Sequence, residues 1–212
     1  MKLDLGHQGA GAVLVSAGGS YGWPAGGATH FGPRDVALLD TLDGWTVHAP
    51  GHPAEVGPVL RRALAGEDRV YVRLDPTSNA RAVDVTGEGW RVLREGDRGL
   101  VVAVGPVLDR VLAATEGLDV AVLHAVTVRP LDVAALRAAA LRPEVVLVEP
   151  WLRGTSSHLV AEALADRPLR LLALGVDRTE HRVYGEVPDH DRLHGLDVAG
   201  IRRSVRAHLG SG

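Results

Sequence analysis

The sequence predicts an α/β fold made of two αβ units, each built around a mostly parallel sheet. Short apolar runs of strand length alternate with stretches in which apolar residues recur at helical spacing. The strand runs are nearly continuous in valine, leucine and alanine, as expected for parallel strands covered on both faces. A stretch rich in charge and glycine interrupts this alternation, so we predict a first unit at 1–78, a linker at 79–98 and a second unit at 99–212.

Proline and glycine mark the element boundaries of the first unit. Pro33 and Pro53 suit first helical positions, because the missing N–H of proline has no partner to lose there. Gly66 suits a helix end, and a glycine-dense loop separates the first strand from the first helix. The predicted elements are a buried strand at 12–16, a helix at 33–42, a strand at 46–49, a helix from Pro53 to Gly66 and a strand at 70–74.

The second unit repeats the same alternation. Asp132, Asp197 and either Ser156 or Ser157 are good N-cap residues for three of its helices. A long loop is predicted before the last helix. The predicted strands lie at 100–104, 120–124, 145–148 and 169–174, and their alternation with helices implies right-handed crossovers in a mostly parallel sheet.

Composition excludes several classes of function. The 212 residues carry a formal net charge of -3 without a basic cluster, so a nucleic-acid partner has no electrostatic basis. Cysteine is absent, which rules out disulfides, thiolate metal sites and cysteine nucleophiles. No apolar run reaches the roughly 20 residues that a membrane helix needs, and the apolar stretch at 10–17 lacks a strongly positive leader. We therefore expect a cytoplasmic protein without a membrane partner.

His30 is the leading candidate for a catalytic residue. It lies at the end of the glycine-dense loop that joins the first strand to the first helix. In open α/β sheets this is the end of the strand at which ligands bind. An imidazole with an ordinary pKa of about 6.5 suits proton transfer near neutral pH.

Several motifs resemble the transketolase family in order and spacing. The first unit contains Gly-Ala-Thr-His at 27–30, Arg-Asp-Val-Ala-Leu-Leu at 34–39 and Val-His-Ala-Pro-Gly-His-Pro-Ala-Glu at 47–55. The second contains Thr-Val-Arg-Pro-Leu-Asp at 127–132, Val-Leu-Val-Glu at 146–149 and His-Gly-Leu-Asp at 194–197. The resemblance implies a truncated thiamine-enzyme pyrimidine domain followed by a transketolase C-terminal-like domain.

This resemblance implies a role in transferring a two-carbon ketol unit with thiamine diphosphate and Mg²⁺. In the family, the motif histidine, here His30, bonds substrate oxygens, and an arginine at the position of Arg73 grips a substrate phosphate. The cofactor residues are missing: no Gly-Asp-Gly occurs, and the only asparagine is Asn79. We therefore expect no cofactor or metal residues on this chain alone and a partner polypeptide with the diphosphate-binding domain, the first half of the pyrimidine domain and the catalytic glutamate. A dimer of heteromers is expected.

Two departures from the family pattern leave alternatives open. Gly26 replaces an acidic residue, and Gly18 or Gly19 replaces a substrate histidine, so a small or carrier-bound substrate is also compatible. One alternative is a β-like subunit of a 2-oxoacid dehydrogenase-type or acyl-carrier-loading complex. Another is a non-catalytic assembly module.

The remaining histidines are interpreted structurally. His48 and His124 lie on strands and are expected to pack. The last cluster, with nearby Asp189 and Asp191, reads as a solvated loop without a metal; its histidines are His181, His190 and His194. The segment at 149–156 joins a strand end to a helix start, a place that suits an anion; the family resemblance implies that this region is mainly structural and lies at the dimer interface. Finally, half a pyrimidine-domain sheet should leave the strand at 12–16 or its neighbour unpaired.

Overall fold

Two α/β units make up the fold, described in a computed structural model over residues 1–87 and 89–210. In chain order the elements up to the middle of the chain are β1 (Ala12–Ser16), α1 (Asp35–Leu39), β2 (Trp45–His48), α2 (Pro53–Ala65), β3 (Arg69–Arg73), β4 (Arg91–Arg94), β5 (Leu100–Val104) and α3 (Leu108–Ala114). The remainder are β6 (Ala121–Ala125), β7 (Thr127–Arg129), α4 (Val133–Ala139), β8 (Glu144–Leu152), α5 (Ser157–Ala163), β9 (Arg170–Val176), α6 (Val187–His194) and α7 (Val198–Leu209).

The strands form two mostly parallel sheets, which confirms the predicted fold class. The first has the order β1-β3-β2-β7, with β1 and β2 parallel to β3 and β7 antiparallel to β2. The second has the order β4-β6-β5-β8-β9, in which only β4 runs antiparallel to its neighbour. β1 lies at an edge of its sheet, as expected for the unpaired strand.

The sheet of the second unit is packed on both faces. All five residues of β5 are buried, and they alternate between two apolar clusters. One cluster includes Val111 of α3 and Ile201 of α7, and the other includes Leu136 of α4 and Val160 of α5. This double cover explains the continuous apolar runs of its strands.

β1 is less buried than the sequence predicted. None of its five residues falls in the buried class, and Val15 is 51% exposed. Its apolar composition resembles that of an inner strand, but its position at the sheet edge leaves one side open. The local pattern therefore identified the strand correctly but not its place in the sheet.

α1 is shorter than predicted and begins at Asp35 rather than at Pro33. The carbonyl of Pro33 accepts a hydrogen bond from the Leu152 backbone N–H at 2.8 Å, which ties this residue to β8. The local proline signal was right about a helix start nearby, but a contact with a distant strand takes Pro33 out of the helix.

The predicted long loop before the last helix is wrong, because α6 lies within it. Glu186 and Asp189 form a reciprocal capping box at its start, and Gly195 ends it in the left-handed conformation at φ 67°. Its two buried residues, His190 and Asp191, are polar. Helical periodicity in apolar residues could therefore not reveal it.

The two units are joined by main-chain and side-chain contacts. β7 comes from the second half of the chain but pairs with β2 of the first sheet. Asn79 is 2% exposed, and its amide donates to the Gly105 carbonyl at 3.1 Å and accepts from the Asp109 N–H at 3.3 Å. β4, within the segment predicted as a linker, is an edge strand of the second sheet. Among the described helices, none is long and apolar enough to cross a membrane.

Candidate functional site

The loop at 17–34 forms the centre of the candidate site, between β1 and α1. It folds back on itself, because the Gly32 N–H donates to the Ser20 carbonyl at 2.8 Å. Gly27 has φ 71°, a left-handed conformation in which glycine is favoured, and it joins two short helical turns. These turns present His30 at the carboxyl end of the first sheet.

His30 is exposed and has a defined tautomer. Its Nδ1 lies 2.8 Å from the Gly26 carbonyl oxygen and 3.1 Å from the Thr29 hydroxyl. Because a carbonyl only accepts, the hydrogen bond to Gly26 assigns a proton to Nδ1, so that in the neutral ring the lone pair lies on Nε2. The ring meets the Trp23 ring edge-on at 4.8 Å. The side chain is thus oriented by its neighbours while one nitrogen is left to accept a proton.

Gly26 is required by this packing. A Cβ at Gly26 would lie 2.7 Å from the Trp23 ring and 2.9 Å from Cγ of His30. An acidic side chain, as in the family pattern, therefore does not fit beside Trp23 and His30 in this arrangement. Gly18, at the other departure, has φ 78° and open space around it, so its backbone conformation is the feature that favours glycine.

Arg73 is buried at the end of β3, and its side chain is fully enclosed. Nε donates to Asp35 at 2.8 Å, Nη1 to Asp75 at 3.3 Å and Nη2 to the Ser20 hydroxyl at 2.8 Å. The guanidinium also lies 5.4 Å from the centre of the Trp151 ring. Its predicted role in phosphate binding stays a prediction; in this arrangement Arg73 holds the loop that carries His30.

A polar network extends from Arg73 across the end of the first sheet. The Tyr71 hydroxyl donates to Asp35 at 2.8 Å and lies 2.6 Å from the Ser16 hydroxyl. Burial, together with the Asp35 carboxylate, raises the pKa of Tyr71 to about 12. The loop approaches Arg73 so closely that a Cβ at Gly19 would lie 2.6 Å from the guanidinium carbon. Gly19 therefore allows the loop to close over Arg73.

The same loop packs against α6 of the second unit. The Tyr21 hydroxyl donates to Asp191 at 2.6 Å, and Arg110 also pairs with that carboxylate. The Tyr21 ring stacks on His190 at 5.2 Å, and Phe31 meets His190 edge-on at 5.1 Å. Burial first, and then Asp191, raise the pKa of Tyr21, so it stays protonated. Sequence reasoning missed these contacts; aromatic residues inside a glycine-dense loop were the available signal.

Two histidines expected to pack are buried as predicted. His48 is 4% exposed, and its Nδ1 lies 3.0 Å from the Thr127 hydroxyl. His124 is 1% exposed, and its Nε2 lies 3.2 Å from the Gly105 carbonyl. Burial lowers the pKa of both side chains, and that of His48 falls to about 4. Both imidazoles are therefore neutral near pH 7.

The predicted anion position at 149–156 is occupied by the protein's own carboxylate. Glu149 is fully buried and accepts hydrogen bonds from the Trp151 indole at 2.8 Å and from the Ser156 hydroxyl at 2.5 Å. Burial raises the pKa of Glu149, against the effect of its hydrogen bonds to Ser156. The Glu149 carboxyl group thus takes the place beside the start of α5 that would suit an external anion.

Among the described residues, the oxygen-bearing side chains near the His30 loop already have protein partners. The only asparagine, Asn79, uses both ends of its amide in joining the units, so it is not available as a metal ligand. A hard divalent cation needs several oxygen ligands, and the carboxylates nearest His30's loop are paired with Arg73 and Arg110.

Comparisons with known proteins agree with the architecture. The chain is an α/β protein whose candidate site lies at the carboxyl end of its first, mostly parallel sheet. Residues 1–80 match the model of the transketolase pyrimidine binding domain, and residues 88–201 match that of the transketolase C-terminal domain. The chain belongs to the transketolase family.

Among its relatives, the chain is 47% identical over 214 residues to an uncharacterized 33.6 kDa protein in the fasciation locus of Rhodococcoides fascians, covering 99% of this chain and 69% of that protein. It is 34% identical over 194 residues to a 1-deoxy-D-xylulose-5-phosphate synthase of Thermus thermophilus, covering 86% of this chain. The chain spans only 31% of that synthase's length.

Solved structures show the same fold. A structure titled split gene transketolase, inactive β4 tetramer, matches 93% of this chain and 66% of its own, with a TM-score of 0.78 and 24% identity. Transketolase from Campylobacter jejuni matches 90% of this chain and 30% of its own, with a TM-score of 0.70 and 17% identity.

Proposed function

We propose that this chain is a subunit of a split, thiamine-diphosphate-dependent, transketolase-like enzyme that transfers a two-carbon ketol unit. A second polypeptide would carry the diphosphate-binding domain, the first half of the pyrimidine domain and the catalytic glutamate, and would hold most of the cofactor and Mg²⁺. The chain would be inactive alone and would work in a dimer of heteromers. Family membership and the fold likeness to a split-gene transketolase support this proposal.

The observation that carries the proposal is the setting of His30. The histidine is exposed and oriented at the carboxyl end of a parallel sheet, with Nε2 left to accept a proton. Exposed aromatic side chains lie near it: Trp23 is 57% exposed and Tyr184 is 70% exposed, the latter close to Gly27. An oriented histidine beside solvent-exposed aromatic side chains suits a site that the partner polypeptide completes.

The edge of the first sheet is the proposed place of assembly. Among the described residues, β1 pairs only with β3, so one side of its backbone is free. An uncovered edge strand is a template for pairing with another chain. We propose that a strand of the partner polypeptide pairs with β1 and so extends the half sheet.

Within the assembled site, His30 would act at a substrate oxygen. Its Nε2 would accept a proton from a substrate hydroxyl and return it, while the Gly26 carbonyl holds the ring through Nδ1. Positioned general acid–base catalysis of this kind contributes about 10²–10⁴-fold to a rate. Arg73 would hold the loop in place through its hydrogen bond to Ser20. To bind a phosphate directly, Arg73 would have to give up one of its hydrogen bonds to Asp35, Asp75 or Ser20.

That enclosure of Arg73 favours a second candidate function. A substrate without a sugar phosphate, such as a 2-oxoacid with an acyl-carrier acceptor, would not need a free arginine. We therefore keep a β-like subunit of a 2-oxoacid dehydrogenase-type or acyl-carrier-loading complex as the alternative. Turnover of pyruvate but not of ketose phosphates by the reconstituted complex would support it.

The experiment that tests the proposal measures native mass and thiamine diphosphate binding. It uses this chain alone, and then this chain mixed with the product of the adjacent open reading frame. We expect cofactor binding and a heteromeric mass only in the mixture. A mixture that neither associates nor binds the cofactor would contradict the split-enzyme proposal.

A matched pair of variants then tests His30. In the active mixture, His30→Ala should lower kcat by about 10²–10⁴-fold without changing the heteromeric mass. His7→Ala, at an exposed histidine in the N-terminal turn, should leave kcat unchanged. Full activity of the His30→Ala complex would instead identify this chain as a non-catalytic assembly module.

A further inference from the structure

Three potential metal ligands converge behind the His30 loop, where the spacing of the histidines predicted no metal. Asp177 directly follows β9, His181 lies in the loop after it, and His194 is the last residue of α6. One ligand atom from each lies within 4.8 Å of the other two. The three residues, here called the DHH cluster, come together only because α6 packs back against the end of β9.

The spacing of the DHH cluster suits a small tetrahedral ion. Oδ2 of Asp177 lies 3.5 Å from Nε2 of His181 and 3.7 Å from Nδ1 of His194. Zinc bonds to nitrogen and oxygen of about 2.0–2.2 Å place neighbouring ligand atoms about 3.4 Å apart at the tetrahedral angle. These two pairs need only small movements to reach that geometry.

The facing atoms are not held by good hydrogen bonds of their own. Nε2 of His181 is buried and has no hydrogen-bond partner among the described residues. Nδ1 of His194 receives only a long contact of 3.3 Å from the Asp177 N–H, compared with an ordinary distance of about 2.9–3.0 Å. A buried nitrogen without a partner is costly in a folded protein, and an ion at this point would satisfy it.

Neighbouring residues hold the side chains of the DHH cluster in place, as the residues around a metal site orient its ligands. Arg153 forms an ion pair with Oδ1 of Asp177 at 3.0 Å, while Oδ2 faces the histidines. The His194 ring stacks on Tyr21 at 5.4 Å and meets His181 edge-on at 5.4 Å. His194 is therefore fixed by packing, and its side chain is only 6% exposed.

We propose that Asp177, His181 and His194 bind a divalent transition-metal ion, with Zn²⁺ as the expected occupant. Two imidazoles and one carboxylate are ligands that Zn²⁺ accepts, and three protein ligands leave its fourth position open. Mg²⁺ and Ca²⁺ prefer sites dominated by oxygen. The adjoining cavity of about 30 Å³ leaves room for a small additional ligand such as one water, which needs about 10–15 Å³.

His190 gives that water a partner. The residue lines the same cavity, is 1% exposed, and has both ring nitrogens buried without a hydrogen-bond partner among the described residues. Its ring lies 6.4 Å from that of His194. A water at the open position would thus bridge the ion and an otherwise unsatisfied imidazole.

The ion would tie the segment at 177–186 to α6 and, through it, to the His30 loop. Tyr184 in that segment lies against Gly27, where a Cβ would come within 2.9 Å of its ring. Tyr21 and Phe31 of the loop contact His190 in α6. The inference stands apart from the proposed function, since metal binding needs neither the partner chain nor thiamine diphosphate.

The test uses full-length, tag-free protein stripped with a chelator and dialysed. Zn²⁺ affinity and stoichiometry are measured by calorimetry, and Co²⁺ replaces Zn²⁺ to report geometry through its visible absorption. We expect one ion per chain and an intense tetrahedral Co²⁺ spectrum. His181→Ala and Asp177→Asn should each weaken Zn²⁺ binding by at least about 100-fold. Mg²⁺ in excess should not compete.

His158→Ala is the matched control. His158 lies 3.4 Å from Asp40, but among the described residues it belongs to no group of three potential metal ligands. This variant should bind Zn²⁺ as the wild type does. Circular dichroism of the stripped variants shows whether each is folded, and His181, on a partly exposed loop, is the least disruptive position. Wild-type protein without stoichiometric Zn²⁺ binding, or folded His181→Ala with wild-type affinity, would overturn the proposal.

Discussion

The two sheets of this protein are stabilised in different ways. In the second sheet, β5 is buried along its whole length, and apolar helices cover both faces. In the first sheet, β1 is half exposed at the edge, and a buried polar network closes the carboxyl end. The second sheet thus rests mainly on apolar burial along its inner strands, while the first sheet adds the buried network of Arg73 and its partners to its own apolar packing.

This difference predicts which substitutions each sheet tolerates. In a sheet of apolar strands, removing a buried side chain from an inner strand costs more stability than removing a partly exposed one from an edge strand. A buried ion network loses most when one partner is removed, because the remaining charges stay buried without compensation. Substitutions in each sheet test this contrast.

Arg73→Ala should destabilise the chain by about 3–5 kcal/mol, because it leaves Asp35 and Asp75 without their cation. Urea unfolding of the two proteins measures the change in unfolding free energy. Arg34→Ala is the control, at an exposed arginine one residue before α1, and should change stability by less than about 0.5 kcal/mol. If Arg73→Ala and wild type are equally stable, the polar network does not stabilise the first unit.

Leu147→Ala should cost about 2–5 kcal/mol, since this residue is 1% exposed on β8, an inner strand of the second sheet. Leu14→Ala, the same change on the half-buried edge strand β1, should cost less than about 1.5 kcal/mol. Unfolding in urea compares the two. If the order is reversed, the first sheet is the better packed one and the comparison fails.

Acid should destabilise the first unit through His48, whose pKa is lowered to about 4 by burial and also by Arg62. Because the folded-state pKa is depressed, the unfolded chain binds the proton more tightly. This contribution is full above a pH of about 6.5 and is lost as the pH falls towards 4, amounting to about 3 kcal/mol. His48→Gln should flatten the stability profile in that window, measured by unfolding at several pH values.

The exposed His7 supplies the control for this titration. His7→Gln should keep the wild-type slope between pH 6.5 and 4. A His48→Gln profile as steep as that of wild type would assign the pH dependence to other buried histidines, whose pKa values are also lowered by burial, among them His124 and His194.

Val15→Lys should have the smallest effect on the chain alone, within about 0.5 kcal/mol, because Val15 is 51% exposed. A charged residue on an edge strand opposes pairing with another chain, so association with the partner should weaken by at least about tenfold. Val92→Lys, at a 48% exposed valine on the edge strand β4, should leave association unchanged. Analytical ultracentrifugation measures both, and equal weakening would argue against β1 as the assembly edge.

Much of the fold was predictable because it rests on local patterns. The strand runs at 100–104 and 145–148, the N-cap Asp132 and the helix start Pro53 all appear where the sequence indicated. The position of His30 at the mouth of the first strand–loop–helix unit also followed from the order of elements. In each case neighbouring residues carry the signal, either as periodic burial or as a capping interaction.

The tertiary structure alone decided the features that join distant residues. It keeps Pro33 outside α1, because the Pro33 carbonyl accepts a hydrogen bond from β8. It forms α6 although the buried residues of this helix are polar. It encloses the Arg73 side chain between Asp35, Asp75 and Ser20. It also brought Asp177, His181 and His194 together. The sequence by itself determined which segments form strands and helices and where His30 emerges, since local burial patterns encode both. Which polar groups pair was decided by packing, because it depends on contacts between residues up to 170 positions apart, as with Tyr21 and Asp191.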